Sequence, residues 1–290
     1  MSANNVHFQG GSHPFAAVAS GSSCVPSRLP VYNNSSIPDP LTYKDAMTHP
    51  ESSEWLEAIR SELQAHAARK TWKATILPTG RKAIATKWVF KTKHGPTPLD
   101  TKKKARLVIK GFNQKHGIDY EDTYAPTVKI STIRAVISHA SYHQWTVHQA
   151  DVDTAFLYAS LNEEIYMKLP DGIDLIPGTI CHPSPTLIQQ SEEQHAQVVA
   201  RLLKALYGLK QAPRAWHEEL NRVLNSLNFY SVESDPGAYV KTSNGKMVCI
   251  VLIYVDDMLI ASNDINEVED FKTEISKHFK NKDLKECRQI

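Results

Sequence analysis

The sequence predicts an α+β fold in which antiparallel strands carry much of the core. Residues 53–63 place apolar side chains at steps of four, which is the spacing of one face of an amphipathic helix. Two β-prone segments between residues 83 and 110 are separated by a Gly/Pro stretch, a pattern typical of a hairpin. An apolar run over residues 248–261 is interrupted only by two adjacent acids, so it predicts a second, buried hairpin with a charged tip.

Length and composition indicate a folded protein of the cell interior. The chain has 290 residues, 41% of them hydrophobic, which suits one large domain or two small ones. No apolar run reaches the roughly 18 residues of a membrane span, and the N-terminus lacks a signal-peptide pattern, so we expect no membrane partner. The cysteines are scattered without a Cys-x-x-Cys pair, which favours reduced thiols.

The N-terminal residues differ in composition from the rest of the chain. Residues 1–37 are rich in Ser, Asn, Gly and Pro and have few apolar residues, so we expect a disordered linker there. A folded domain is expected over residues 38–290. Its first long helix carries Trp55, Ile59 and Leu63 on one face.

The first predicted hairpin is strongly basic. Its strands are expected at residues 83–91 and 105–110, and the wider segment Arg81 to Lys115 holds eleven basic residues against one acid, Asp100. Such a run is either a solvated face or a surface that follows nucleic-acid phosphates.

The remaining elements follow from periodicity. Residues 131–145 predict a helix, and residues 145–150 predict a strand that runs into Asp151. The polar segment 186–197 predicts a surface excursion. Two later amphipathic helices are expected at residues 214–227 and 267–279.

The acids at the end of predicted strands are the first candidates for chemistry. Asp256 and Asp257 are adjacent between apolar strands, and two such charges need a cation or solvent to offset them. An ordinary exposed acidic turn is the alternative. Because Asp151 also ends a strand, the three acids can converge on a pair of hard cations, which take oxygen ligands.

Several motifs occur in a recognisable order. They are Lys87-Trp88-Val89-Phe90-Lys91, residues 104–112, Gly117-Ile118-Asp119-Tyr120, residues 149–157, Glu163-Glu164-Ile165-Tyr166-Met167, residues 206–216 and Tyr254-Val255-Asp256-Asp257. In order and spacing they closely resemble the reverse transcriptases of copia-type LTR retrotransposons, over about residues 38–290.

The resemblance implies a right-hand polymerase fold with fingers and an antiparallel palm sheet. It implies that Asp151, Asp256 and Asp257 are the catalytic acids and bind two Mg²⁺ or Mn²⁺ ions. Implied partners are an RNA or DNA template with its primer, deoxynucleoside triphosphates and other segments of a polyprotein. The implied location is a cytoplasmic retrotransposon particle, with the nucleus as a further location.

The resemblance also implies which side chains bind the nucleotide. Phe156 falls where these enzymes place an aromatic gate against the 2′-hydroxyl, although plain core packing is its alternative role. Arg106 matches the arginine that holds the triphosphate, and Lys104 and Lys110 assist it unless they only form a solvated face. Gln211 would contact the nucleotide or template, or else simply cap a helix.

The sequence departs from the family in several places. Asp153 stands where lysine is frequent, Lys285 stands where glycine is usual, and residues 170–198 are longer and more polar than expected. Cys181, His182 and His195 in this stretch lack the paired spacing of a zinc site. Ile290 falls inside the expected last palm strand, so we expect the thumb to be absent and the piece alone to polymerise poorly.

Two other functions stay open at this point. A decayed or domesticated copy would keep the fold as a non-catalytic nucleic-acid-binding module. A metal-dependent nuclease would use the same clustered acids, but it would not require Phe156 or the Gln211-Ala212-Pro213-Arg214 segment.

Overall fold

A computed structural model of the chain describes residues 37–94 and 100–287. The linker predicted for residues 1–37 lies outside the described residues, except for its last position. The described residues divide into two compact units, one of residues 126–153 and 221–287, the other of residues 37–125, without 95–99, and 154–220. No helix among the described residues is both long and apolar enough to cross a membrane.

Helices and strands alternate irregularly along the chain, as expected for the α+β class. The helices are α1 (Tyr43–Thr48), α2 (Ser52–Ala68), α3 (Ile130–Tyr142), α4 (Pro185–Glu193), α5 (Ala212–Ser226) and α6 (Ile265–His278). The strands are β1 (Trp72–Ile76), β2 (Thr86–His94), β3 (Thr101–Ile109), β4 (Thr146–Val152), β5 (Tyr166–Met167), β6 (Val198–Leu202), β7 (Tyr230–Val232), β8 (Asp235–Ser243), β9 (Lys246–Tyr254), β10 (Asp257–Ser262) and β11 (Asn281–Glu286). Short 3-10 helices lie at Gly111–Asn113, Ala155–Tyr158 and Ile173–Leu175.

The first unit is built on a six-stranded antiparallel sheet with the order β11-β4-β10-β9-β8-β7. Helix α3 buries Ile133 and Ala140 in a cluster with Leu252 and Leu259 of the central strands. Val251 and Ile260 point to the opposite side of the pleat and are also fully buried, and α6 packs on β9 and β10. Burial on both faces explains why β9 is a continuous apolar run and not an alternating one.

A buried polar cluster joins α6 to the edge of this sheet. The Lys272 ammonium lies 2.7 Å from Nδ1 of His148 on β4 and 3.2 Å from the carboxylate of Asp283 on β11. Burial is the main cause that lowers the pKa of His148 from its usual 6.5, and the positive charge of Lys272 is the second. The nearby acids Glu269, Asp283 and Glu286 act in the opposite direction. His148 therefore stays neutral in the folded chain at pH values where an exposed histidine is protonated.

This cluster predicts a loss of stability in mild acid. Below about pH 6.5, His148 is protonated in the unfolded chain but stays neutral in the folded chain. The free energy of unfolding therefore decreases as the pH falls from about 6.5 towards the lowered pKa of folded His148. Between about pH 7.5 and pH 5, the urea midpoint of the wild type should fall more than that of His148→Gln, which keeps an acceptor for Lys272 but does not titrate. His143→Gln, at an exposed histidine, is the control. Equal losses in the wild type and His148→Gln would contradict this role.

The second unit holds a three-stranded sheet, β1-β6-β5, and the separate hairpin of β2 and β3. Helix α2 packs on β3 and buries Trp55, Ile59 and Leu63 completely, as the sequence predicts. The buried carboxylate of Glu62 on α2 accepts a hydrogen bond from the backbone N–H of Leu107, 3.3 Å away. The helix thereby satisfies an edge donor of the hairpin as well as covering its apolar face.

The long polar stretch forms a surface helix with a buried base. Helix α4 is largely exposed, in keeping with the predicted surface excursion, and Ser184 caps its N-terminus. Just before it, Cys181 is fully buried, and its carbonyl accepts a hydrogen bond from the Trp72 indole at 3.1 Å. The excursion is therefore anchored to β1.

Candidate active site and nucleic-acid interface

The three acids singled out from the sequence lie together in the first unit. Strands β4 and β10 pair so that Asp257 stands directly opposite Asp151. Asp256 and Val255 form the two-residue turn between β9 and β10. The backbone carbonyl of Asp256 accepts a hydrogen bond from the N–H of Val152 at 3.0 Å, which ties the turn to the end of β4.

The charges of this group are partly balanced from the sheet itself. Asp257 is only 6% exposed, and like charges placed opposite each other on paired strands are destabilising. On the other side of β4, Lys282 of β11 stands opposite Asp151. The row Asp257–Asp151–Lys282 thus places two carboxylates and one ammonium group at directly paired positions.

Metal ions suit the donor chemistry of this group. Carboxylate oxygens are hard ligands of the kind that Mg²⁺ and Mn²⁺ prefer. Within residues 37–94 and 100–287, no group of three or more His, Cys, Asp or Glu side chains is arranged to hold an ion by itself. The case for metal ions at this group therefore rests on the carboxylate donors and on the strand register that pairs Asp151 with Asp257.

The turn between β9 and β10 is strained. Val255 has φ +58°, a left-handed conformation that is rare for a β-branched residue. Strain of this kind costs on the order of 1–3 kcal/mol and is concentrated at functional sites. The sequence alone gave no sign of it, because apolar patterning does not report the backbone conformation of a turn.

Asp153, close in sequence to the catalytic candidate Asp151, has a local basic partner. Its backbone N–H donates to the carbonyl of Lys280 at 2.9 Å, and its carboxylate lies 3.9 Å from the Lys280 ammonium. The negative charge of Asp153 is therefore accompanied by the positive charge of Lys280.

In the second unit, two predicted nucleotide-binding residues meet at a third side chain. The Arg106 guanidinium lies over the ring of Tyr207, with its carbon 5.4 Å from the ring centroid. Phe156 contacts the same ring edge-on, with centroids 4.8 Å apart. Tyr207 belongs to a motif that the sequence identified, but its position between Arg106 and Phe156 was not predicted, since it depends on contacts between distant parts of the chain.

Gln211 is placed differently from Arg106 and Phe156. It is buried, its amide oxygen accepts from Gln114 at 2.9 Å, and its amide nitrogen donates to the carbonyl of Asp119 at 2.8 Å. A direct contact between this amide and a nucleotide would require one of these bonds to open. The nucleotide contact of Gln211 remains a prediction.

Most basic side chains of the hairpin lie on one face, whereas Lys103, which pairs with Thr92, lies on the other. The register pairs Lys93 with Lys102, Lys91 with Lys104, Val89 with Arg106 and Lys87 with Val108. Directly opposed residues share a face, and successive residues along a strand point to opposite faces. These side chains therefore all project from the side opposite Trp88 and Phe90. We call these eight residues the basic face. Lys110 follows β3 and bonds through its backbone N–H to Ala85.

A known protein family matches most of the chain. The family model for reverse transcriptase (RNA-dependent DNA polymerase) matches residues 69–290. The chain belongs to this reverse transcriptase family. The resemblance to copia-type retrotransposon enzymes that the motifs indicate is thereby confirmed.

Relatives of this reverse transcriptase include plant and yeast transposon proteins. It is 37% identical to the retrovirus-related Pol polyprotein from transposon TNT 1-94 of Nicotiana tabacum, over 87% of the chain and 18% of that protein. It is 36% identical to the corresponding polyprotein from transposon RE1 of Arabidopsis thaliana, over 80% of the chain and 15% of that protein. The Ty1-H Gag-Pol polyprotein of Saccharomyces cerevisiae is 25% identical over 83% of the chain and 12% of that protein. The chain thus spans less than a fifth of the length of these relatives.

The backbone at Lys285 is in a left-handed conformation that is unfavourable for lysine. Lys285 has φ +68° and lies at an irregularity in the pairing of β11 with β4. Glycine adopts this conformation without a steric penalty. Lysine at 285 carries a backbone strain that glycine would not.

The basic face predicts salt-dependent binding of nucleic acid. If its lysines contact phosphates, log affinity for single-stranded nucleic acid should fall linearly with log salt, with a slope of about −0.7 per contact. Replacing Lys91, Lys93 and Lys104 by glutamine should flatten that slope by about two units when the three residues are in contact. Fluorescence anisotropy over a salt series measures it, with Lys246→Gln, at an exposed lysine outside the hairpin, as the control. A slope that does not change would identify the basic face as merely solvated.

Proposed function

We propose that the chain carries the fingers and palm of a right-hand polymerase and catalyses RNA- and DNA-templated DNA synthesis within a retrotransposon Pol polyprotein. The observation that carries this proposal is the placement of Asp151 opposite Asp257, with Asp256 in the adjoining turn, in a chain of the reverse transcriptase family. Its partners are a primed template, deoxynucleoside triphosphates and other segments of the polyprotein. Its location is a cytoplasmic retrotransposon particle and, at a later stage, the nucleus.

The acids supply the metal-binding role. Reverse transcriptases use divalent metal ions, and in this proposal Asp151, Asp256 and Asp257 hold two Mg²⁺ or Mn²⁺ ions. When bound, two such ions lower the charge barrier to in-line attack on a phosphate and stabilise the leaving oxygen. The protein's own contribution is to fix three carboxylates at the ends of rigid, buried strands.

The second unit supplies nucleotide recognition. The planar guanidinium of Arg106 suits the triphosphate, and Lys104 and Lys110 add positive charge. Phe156 occupies the volume that a 2′-hydroxyl would need. Gln211 supports the segment that carries Tyr207 and contacts the nucleotide or template if its buried amide bonds open.

Primer extension tests the proposal directly. The chain, alone and within a longer segment of its polyprotein, is incubated with primed RNA or primed DNA, deoxynucleotides and Mg²⁺ or Mn²⁺. Extension that follows the template and requires the metal ion supports the proposal. Binding without extension in both forms would indicate a non-catalytic module, and template cleavage without extension would indicate a nuclease.

Phe156→Ala is expected to relax the selection of deoxynucleotides. Removal of the ring opens the volume beside the sugar, so the ratio of ribonucleotide to deoxynucleotide incorporation should rise by roughly tenfold or more. Single-nucleotide incorporation with each substrate measures that ratio. Phe156→Tyr keeps the ring and should retain the selection. An unchanged ratio in Phe156→Ala would leave core packing as the role of this residue.

A further inference from the structure

The backbone at Tyr207 is held against β3. The carbonyl of Tyr207 accepts a hydrogen bond from the N–H of Ile109, three residues beyond Arg106 on β3, at 2.8 Å. The next residue, Gly208, has φ +95°, and a Cβ atom there would lie 2.1 Å from the Ile109 carbonyl oxygen. The close approach that only glycine permits thus brings Tyr207 beside the strand that carries Arg106.

The ring of Tyr207 suits a role in holding Arg106 ready for an anion. An aromatic face attracts a guanidinium through its π-electrons and leaves the N–H donors in the guanidinium plane available. A carboxylate partner would occupy those donors and compete with a triphosphate. Tyr207 therefore restrains the long arginine side chain without using the groups that recognise phosphate.

The same ring also supports Phe156. Tyr207 and Phe156 meet at an interplanar angle of 65°, an edge-on arrangement that aromatic rings favour. Phe156 and Tyr207 are both only half-buried, so each ring retains a surface that a ligand can reach. A change in the position of the Tyr207 ring would therefore act on Phe156 and Arg106 together.

We infer that Tyr207 is a positioning residue that couples triphosphate binding by Arg106 to sugar selection by Phe156. This inference rests on the proposed polymerase function. Loss of the ring should weaken both properties at once, whereas Arg106→Lys should act mainly on the KM for the nucleotide and Phe156→Ala mainly on sugar selection.

Single-nucleotide incorporation by the chain tests the coupling. For Tyr207→Leu we expect the KM for a deoxynucleotide to rise roughly tenfold, and the ratio of kcat/KM for deoxynucleotide over ribonucleotide to fall by a similar factor. Tyr207→Phe keeps the ring and should restore most of both values. Tyr142→Leu, at an exposed tyrosine of the other unit, is the control for the loss of an aromatic ring.

Each outcome decides the matter. If Tyr207→Leu changes neither value, or changes KM alone, Tyr207 does not couple the two properties. If Tyr207→Leu shows no cooperative thermal transition and is therefore not folded, two milder variants replace it. Tyr207→His keeps a planar ring and should retain more sugar selection than Tyr207→Met. Equal sugar selection in these two variants would overturn the inference. If the wild type incorporates no nucleotide, the proposed function fails, but calorimetric titration with dTTP and UTP still tests the coupling. Tyr207→Leu should then weaken dTTP binding and reduce the preference for dTTP, and an unchanged preference would overturn the inference.

Discussion

Asp256→Asn is expected to remove primer extension while the six-stranded sheet stays folded. The substitution keeps the size of the side chain and the backbone carbonyl that accepts from Val152, but it removes one ligand charge from the group of three acids. Because stabilisation by bound metal ions contributes several kcal/mol to such reactions, we expect a loss of at least about 10³-fold in rate. The half-buried position of Asp256 in a turn explains why the fold should tolerate the change.

The measurement pairs activity with folding. Primer extension rates and thermal melting by circular dichroism are compared for the wild type, Asp256→Asn and Asp270→Asn. Asp270 is an exposed acid on α6, so its substitution controls for the loss of one negative charge. Extension by Asp256→Asn at the rate of the Asp270→Asn control would refute the assignment of Asp256 as a metal ligand.

Gly208→Ala is expected to destabilise the fold strongly. A Cβ atom at this position would lie 2.1 Å from the carbonyl oxygen of Ile109 and 2.7 Å from a methyl group of Val108, and φ is +95°. The unfavourable conformation costs about 1–2 kcal/mol and the overpacking about 1–3 kcal/mol, so the free energy of unfolding should fall by about 2–5 kcal/mol.

A second glycine separates the two contributions. Gly80 has φ +80°, but nothing lies within 4 Å of the Cβ position, so Gly80→Ala carries the conformational cost alone. Urea denaturation of both variants should show a loss for Gly80→Ala of about 1 kcal/mol and a larger loss for Gly208→Ala. Equal losses would mean that the backbone at Ile109 moves aside without cost.

Patterns of local origin were predictable from the sequence. The buried hairpin around Asp256 follows from a continuous run of β-branched and apolar residues, and the first long helix follows from the spacing of Trp55, Ile59 and Leu63. The family motifs placed Asp151 and Arg106 in the right elements. These features depend on side-chain type and periodicity, which a sequence displays directly.

The contacts within the candidate site were beyond a single sequence. Which residue of β10 faces Asp151 depends on the register between strands that are distant along the chain. The contact of Arg106 with Tyr207 depends on a close backbone approach at Gly208, and the burial of Gln211 depends on its bonds to Gln114 and Asp119. Such contacts are decided by tertiary packing, to which local propensity contributes little.

The pairing of the basic hairpin limits how its sequence can change. Lysines alternate with Trp88 and Phe90 along β2, so a shift of one residue would turn the lysines towards α2 and the aromatic rings towards water. A single-residue insertion within β2 would turn every side chain beyond it to the opposite face of the hairpin. Replacement of one lysine by another polar residue leaves the strand pairing intact. In descendants of this sequence, the length of β2 should therefore vary less than its charge.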